Sequence, residues 1–197
     1  MLWLLLTLQT LTVWKPAELA SLNPEVLGAP TIADGALQFD GLHDGLIVSL
    51  NPIAGWDKFT IEVLFLPERD GPPAQRFMHL ADEQGRRVLL ETRSPDGISW
   101  CLDTFLRGEK DECTLRDMTR LHPTGEWAWV ALVYNGRTMS HYVNGLNELG
   151  AEFNFEPMTS GRTSLGVRLD RQYWFKGAIK EIRFHPTALP PEALQHY

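Results

Sequence analysis

The sequence has only two cysteines, no long hydrophobic run, no excess of positive charge and no low-complexity tract among its 197 residues. Each absence excludes something. Two cysteines with no nearby Cys/His partners exclude a zinc module, whose ligands come in fours at short spacing. With 18 Lys+Arg against 25 Asp+Glu the formal net charge is −7, so the chain lacks the cationic surface that general nucleic-acid binding requires. An anionic ligand such as a uronate polysaccharide would need a local cluster of arginines working against this field. The one strongly apolar stretch, Leu2 to Val13, is about half the roughly 20 residues of a membrane span, so no span is expected. No stretch supports a long amphipathic helix; only residues 190–195, opening with two prolines, suit a short one.

The apolar N-terminal stretch, residues 1–14, has two readings. As a secretory signal it lacks a basic opening, since the first cation is Lys15, and it lacks an Ala-x-Ala cleavage site. As a strand it alternates Leu6, Leu8, Thr10 and Thr12 with Thr7, Gln9, Leu11 and Val13. A secretory origin is the expectation, and residues 15–197 then form one domain, since composition marks no boundary within them. The cysteines bear on the same question. Cys101 and Cys113 flank Arg107-Gly108-Glu109-Lys110, and a hairpin centred on Arg107 would set them opposite each other, close enough for a disulfide. That bond would place the protein in an oxidising compartment, secreted or periplasmic. The alternative is two unpaired thiols.

What the chain does have is period-2 alternation. Phe59, Ile61, Val63 and Phe65 alternate with Thr60, Glu62 and Leu64; Val130, Leu132 and Tyr134 alternate with Trp129, Ala131 and Val133. Asn135-Gly136 and Asn144-Gly145 then punctuate a hairpin. Further runs at 36–40, 46–50, 76–80, 87–93, 99–106, 163–169 and 177–185, separated by Pro, Gly or Asp, give the spacing of an all-β sandwich or jelly roll.

In this order the runs resemble the laminin-G-like branch of the concanavalin A-like lectin/glucanase superfamily. The landmarks are Ala36-Leu-Gln-Phe-Asp-Gly41, Phe59 to Phe65, Gly125-Glu-Trp-Ala-Trp-Val-Ala-Leu-Val-Tyr-Asn-Gly136 with the return His141-Tyr-Val-Asn-Gly145, and Phe175 to Phe184 followed by Ala188-Leu-Pro-Pro-Glu-Ala. The resemblance implies a jelly roll of two antiparallel sheets, one concave. It also implies a spread of activities: carbohydrate-binding modules, cell-surface interaction domains, and hydrolases or lyases acting on polysaccharides. The glucanases' Glu-x-Asp-x-x-Glu is absent; Glu62, Glu91 and Asp103 stand on separate strands. The lyase residue types are present as Arg76, His79, Arg93, His141, Tyr142, Asn144 and Arg168, but alternation sorts them to different faces. Relatives often hold calcium, for which Asp40, Asp44, Asp82, Asp170 and Asn144 near strand ends are candidates. No metal ligand or catalytic residue is assigned.

The expected function is therefore a non-catalytic, extracytoplasmic module that recognises glycans or a cell-surface protein. The alternative is a polysaccharide-active enzyme, a lyase on uronate-containing glycans. Strand alternation gathers Glu62, His79, Tyr142, Asn144 and Arg168 as the candidate ligand-binding set. Trp174, beside Tyr173 in a loop, is the aromatic best placed to stack on a sugar ring, whereas Trp56, Trp100, Trp127 and Trp129 suit the core.

Overall fold

The computed structural model describes residues 10–197. Its elements in chain order are β1 (Thr12–Trp14), α1 (Pro16–Ser21), β2 (Glu25–Leu27), β3 (Thr31–Ala33), β4 (Ala36–Asp40), β5 (Gly45–Val48), β6 (Phe59–Pro67), β7 (Ala74–Asp82), β8 (Arg87–Arg93) and β9 (Ser99–Arg107). They continue with β10 (Glu112–Arg116), β11 (His122–Pro123), β12 (Ala128–Tyr134), β13 (Thr138–Val143), β14 (Leu146–Glu152), β15 (Gly161–Leu165), β16 (Lys176–His185) and a 3₁₀ turn at Pro191–Ala193.

Two antiparallel sheets stack as a jelly-roll sandwich. The first has the order β14-β13-β12-β6-β16-β4-β3, with β1 paired to β16; the second has the order β10-β9-β8-β7-β15-β5-β2, with β11 paired to β9. The alternation read from the sequence now has a destination. Phe59, Ile61, Val63 and Phe65 of the first sheet and Val88, Leu90, Trp100, Leu102 and Leu106 of the second meet in one core, where Phe65 stacks on Phe77 with ring centroids 4.5 Å apart. Full burial of each such side chain contributes about 1.5–3 kcal/mol.

The Asn-Gly turns work by backbone conformation. Asn144 (φ 47°) and Gly145 (φ 76°) are both left-handed, which joins β13 to β14 with a twist matching the strands. At the other turn Asn135 accepts the backbone N–H groups of Arg137 and Thr138.

Of the apolar N-terminal stretch, Thr12–Trp14 is a strand of the first sheet, and Trp14 packs edge-on against Phe184. The sandwich thus takes in residues ahead of Lys15, while residues 1–9, where the signal reading falls, lie outside the described residues. No helix among the described residues is long and apolar enough to cross a membrane.

The expected disulfide is not formed: both cysteines are free thiols. The hairpin is centred between Gly108 and Asp111, with Arg107 opposite Glu112, so Cys113 faces Leu106 and not Cys101. Five residues of strand, about 17 Å, separate the two positions. They also point to opposite sides of the sheet: Cys113 packs against the core, while Cys101 lies on the outer face with its sulfur 3.5 Å from Met118 Sδ. The inference from these cysteines to an oxidising compartment falls with the bond.

The outer faces of the two sheets differ. The last residues of the chain cover the first sheet's outer face, where Leu194, Ala188 and Leu189 pack on Ala131, Val133 and Tyr142. The outer face of β7 to β10 has no such cover, and a groove of about 290 Å³ lies over it.

Candidate functional site

The floor of this groove is laid down by strand register. Arg76, Glu91, Asp103 and Arg116 stand directly opposite one another across β7, β8, β9 and β10. The next outward row is His79, Leu89, Phe105 and Thr114, and the third is Ala81, Arg87, Arg107 and Glu112. Charged residues thus flank an apolar strip made by Leu89 and Phe105. Arg168 reaches the groove from the loop after β15.

The first row could not be read by strict alternation. On an ideal strand Arg76 and His79 face opposite ways; here β7 carries a bulge in which Phe77 is the extra residue, so both Phe77 and Met78 are buried and Arg76 and His79 emerge on one side. The remaining signal was available: Arg87, Leu89, Glu91 and Arg93 alternate on one strand and Asp103 and Phe105 on the next, two amphiphilic faces side by side.

Electrostatics bind the first row together. Arg76 Nε lies 3.0 Å from Glu91, and Arg93 spans both acids, donating to Glu91 at 3.0 Å and to Asp103 at 2.6 Å. Arg116 adds a bond to Asp103 at 3.3 Å. Glu91 is 3% exposed, and burial, aided by neighbouring Asp103 and opposed by Arg76 and Arg93, pushes its pKa up to about 7. Tyr173, in the left-handed conformation (φ 59°), lays its ring against Arg76, whose guanidinium carbon is 3.7 Å from the ring centre. The backbone of Arg76 also donates to the Tyr173 carbonyl at 2.9 Å.

His79 sits at the edge of this cluster, 4% exposed, its Nδ1 accepting the backbone N–H of Leu169 at 3.1 Å. Its proton therefore resides on Nε2, which has no protein partner. Burial first, then the charges of Arg168, Arg87 and Arg76, depress its pKa to about 3, so the ring is neutral.

The structure places the expected ligand-binding residues on two separate faces. His79 and Arg168 belong to the groove. Glu62 is on the first sheet's outer face, fully engaged by His185 at 2.8 Å and the backbone N–H of Gln195 at 2.7 Å. Tyr142 lies on that same face beneath the C-terminal segment. Asn144 is a turn residue whose side chain accepts the N–H of Trp129 at 2.9 Å. Trp174 is half-buried near His43, and its neighbour Tyr173 is the aromatic that meets Arg76.

The candidate calcium ligands do not fit one shared cation site. Asp40 accepts the N–H groups of Leu42, His43 and Asp44, and Asp44 accepts those of Ala29 and Asp40. Asp82 is held by Arg86, and Asp170 lies beside Arg168. Among the described residues no three His, Cys, Asp or Glu side chains converge as a metal-binding group.

The chain belongs to the concanavalin A-like lectin/glucanases superfamily, whose family model matches residues 40–195. No curated protein matches it. Among solved structures it is similar to domain 4 of AbnA, an extracellular arabinanase from Geobacillus stearothermophilus, in complex with arabinotriose: TM-score 0.66, 21% identity, covering 84% of this chain and 79% of that one. It is also similar to the CBM40 of the Ruminococcus gnavus IT-sialidase bound to α2,3-sialyllactose, with TM-score 0.56, 18% identity and coverage of 71% and 80%. NanB sialidase from Streptococcus pneumoniae aligns with TM-score 0.61 and 16% identity over 84% of this chain but only 27% of its own. At these identities the likeness is one of fold.

Proposed function

We propose that this protein is a non-catalytic glycan-binding module whose ligand lies in the groove over β7 to β10. One observation carries the reading: half-buried Phe105, with Leu89 beside it, lies between rows of hydrogen-bonding charged side chains in a groove on the outer face of β7 to β10, which the C-terminal segment leaves open. A sugar ring has the same division, an apolar C–H face and a polar rim, and half-buried Phe105, with the Arg87 guanidinium carbon 5.5 Å from its ring centre, offers aromatic surface beside a charge for such a ring to meet. The sugar ligands named for the arabinanase domain and the CBM40 support the same use of the fold. The setting that follows is extracytoplasmic, on polysaccharide or a cell-surface glycoprotein, and fractionation of the source cells checks it.

The lyase alternative needs a strong base beside the carboxylate-neutralising arginines. His79 is the histidine on this face; it is 4% exposed, its Nδ1 is occupied by the Leu169 N–H, and a pKa of about 3 makes it a poor proton acceptor near neutrality, which argues against elimination through His79. Calorimetric titration of neutral and acidic oligosaccharides into wild type and Phe105→Ala tests the reading. A ligand that binds wild type and loses about ten-fold in affinity with the variant, at unchanged melting temperature, supports it. An unsaturated product accumulating from uronate oligomers would replace it with the enzyme.

A further inference from the structure

The groove is a cationic island on an acidic protein. Five arginines line it, Arg76, Arg87, Arg93, Arg116 and Arg168, against Glu91, Asp103 and Glu112, although the whole chain carries a net charge of −7. Two of those acids are already committed. Glu91 and Asp103 are tied down by Arg76, Arg93 and Arg116 in the first row, which leaves Arg87 and Arg168 without an aligned acidic partner.

The donors left over point to a ligand. Arg76 Nη1, Arg87 Nε and Arg168 Nε are shielded from solvent and make no hydrogen bond within the protein. Arg168 Nε comes within 3.6 Å of Asp170 without the alignment of a bond. Arg76 is itself only 9% exposed. A shielded N–H with no acceptor is costly, more so when charged, and here several are gathered in one place. They are close enough to act on one another: after burial, the charges of Arg168, Arg87 and Arg76 further depress the pKa of His79, and those of Arg107 and Arg168 further lower that of Arg87. Such crowding of like charge is relieved by an oxyanion, whose planar or tetrahedral oxygens match the guanidinium fork. Arg76 is held in place for this by Tyr173. The apolar strip beside the cluster argues for an anion carried on a ring, not a free inorganic one.

Building on the glycan-binding reading, we infer that the ligand is an acidic sugar, its carboxylate or sulfate held by Arg87 and Arg168 with Arg76 completing the cluster and its ring over Leu89 and Phe105. The anion lies toward Arg87 and Arg168 because Glu91 and Asp103 repel it from the first row.

The test is calorimetry at low salt with two matched pairs: a galacturonate tetramer and its carboxyl-reduced form, and a sulfated galactan tetramer and its desulfated form. The expected result is that at least one acidic member binds about ten-fold or more tightly than its neutral twin, and the pair that shows the margin identifies the anion. Arg168→Gln and Arg87→Gln, each checked for an unchanged melting temperature, should erase that margin while sparing the neutral twin. Arg137→Gln, an exposed arginine at the far edge of the first sheet, should leave it intact. Equal affinity within both pairs overturns the inference and leaves glycan binding standing. Binding of none of the four overturns the glycan-binding reading and the inference with it.

Discussion

Glu91 is the residue whose ionisation reports most directly on the groove. Its folded pKa of about 7 stands above the ordinary 4.5, so its contribution to stability is complete below about 4.5 and is lost as pH rises through 7. Carbon-detected NMR should show its carboxyl titrating near 7; a midpoint near 4.5 would contradict the buried row. Below that pH Glu91 is neutral and Arg76 and Arg93 lose a counter-charge, so an acidic oligosaccharide should bind more tightly at pH 6 than at pH 8, and Glu91→Gln should flatten this dependence. His79 and His141 act with the opposite sign. Both are buried and neutral, with pKa values of about 3 and about 4, so the unfolded chain takes up protons that the fold refuses, and stability is lost as pH falls below about 6.5. For His141, which bonds Thr104 at 2.9 Å between the sheets, Glu148 and Asp103 only partly offset burial. Replacing it with Gln should shallow the acid limb of a melting-temperature curve; an unchanged limb would assign the protons elsewhere. The cysteines are the residue-scale correction. Burial raises the pKa of both thiols, so mass spectrometry after oxidative expression and denaturing alkylation should find two alkylated cysteines per chain and no bond between them.

At the scale of elements, the loop from Gly166 to Phe175 delivers both Arg168 and Tyr173 to the groove. Gly166 anchors it, donating to the Phe77 carbonyl at 3.0 Å and accepting from Phe175 at 2.8 Å, and its φ of 76° leaves a Cβ nowhere to go but into the ring of Phe39. Gly166→Ala therefore combines a left-handed alanine with an overfilled core and should cost about 3 kcal/mol, a fall of about 6–12 °C in melting temperature. Glycan affinity should fall with it; a variant of wild-type stability would mean the loop is not fixed as described. The strands themselves were legible in the sequence because burial on one side enforces alternation, and the Asn-Gly turns because Asn144 and Gly145 need left-handed backbone. The β9–β10 register was legible too: Trp100, Leu102 and Leu106 form the apolar face of β9 and Cys113 and Leu115 that of β10, and a turn centred on Arg107 would set Cys113 against the opposite face, whereas the turn at 108–111 matches the two apolar faces. One thing was not. The bulge at Phe77 breaks the alternation of β7, so that Arg76 and His79, assigned to opposite faces, share one.

For the molecule as a whole, function depends on an asymmetry between two sheets that look alike as sequence. Glu62 and Tyr142 alternate with apolar residues as cleanly as Glu91 and Arg93 do. What separates them is the chain's last turn: Leu189 donates to Thr60, Gln195 donates to Glu62, and Leu194 closes over Val133, so one polar face becomes a second small core and the other stays open. Pairing of that kind is tertiary and leaves no local mark on either strand, which is why alternation gathered residues from both faces into one set. The open face also reverses the sign of the protein's overall charge, so acidic-ligand affinity should weaken as salt rises from low to physiological concentration. The central claim is the location of the ligand, and amide NMR mapping tests it most directly: titrate ¹⁵N-labelled protein with the tightest-binding oligosaccharide of the matched pairs and follow every backbone resonance. Shifts concentrated at Arg76, Leu89, Phe105, Thr114, Arg168 and Tyr173 are the predicted result; shifts concentrated on β12 and β13, or confined to the turns at Asn135 and Asn144, would contradict it.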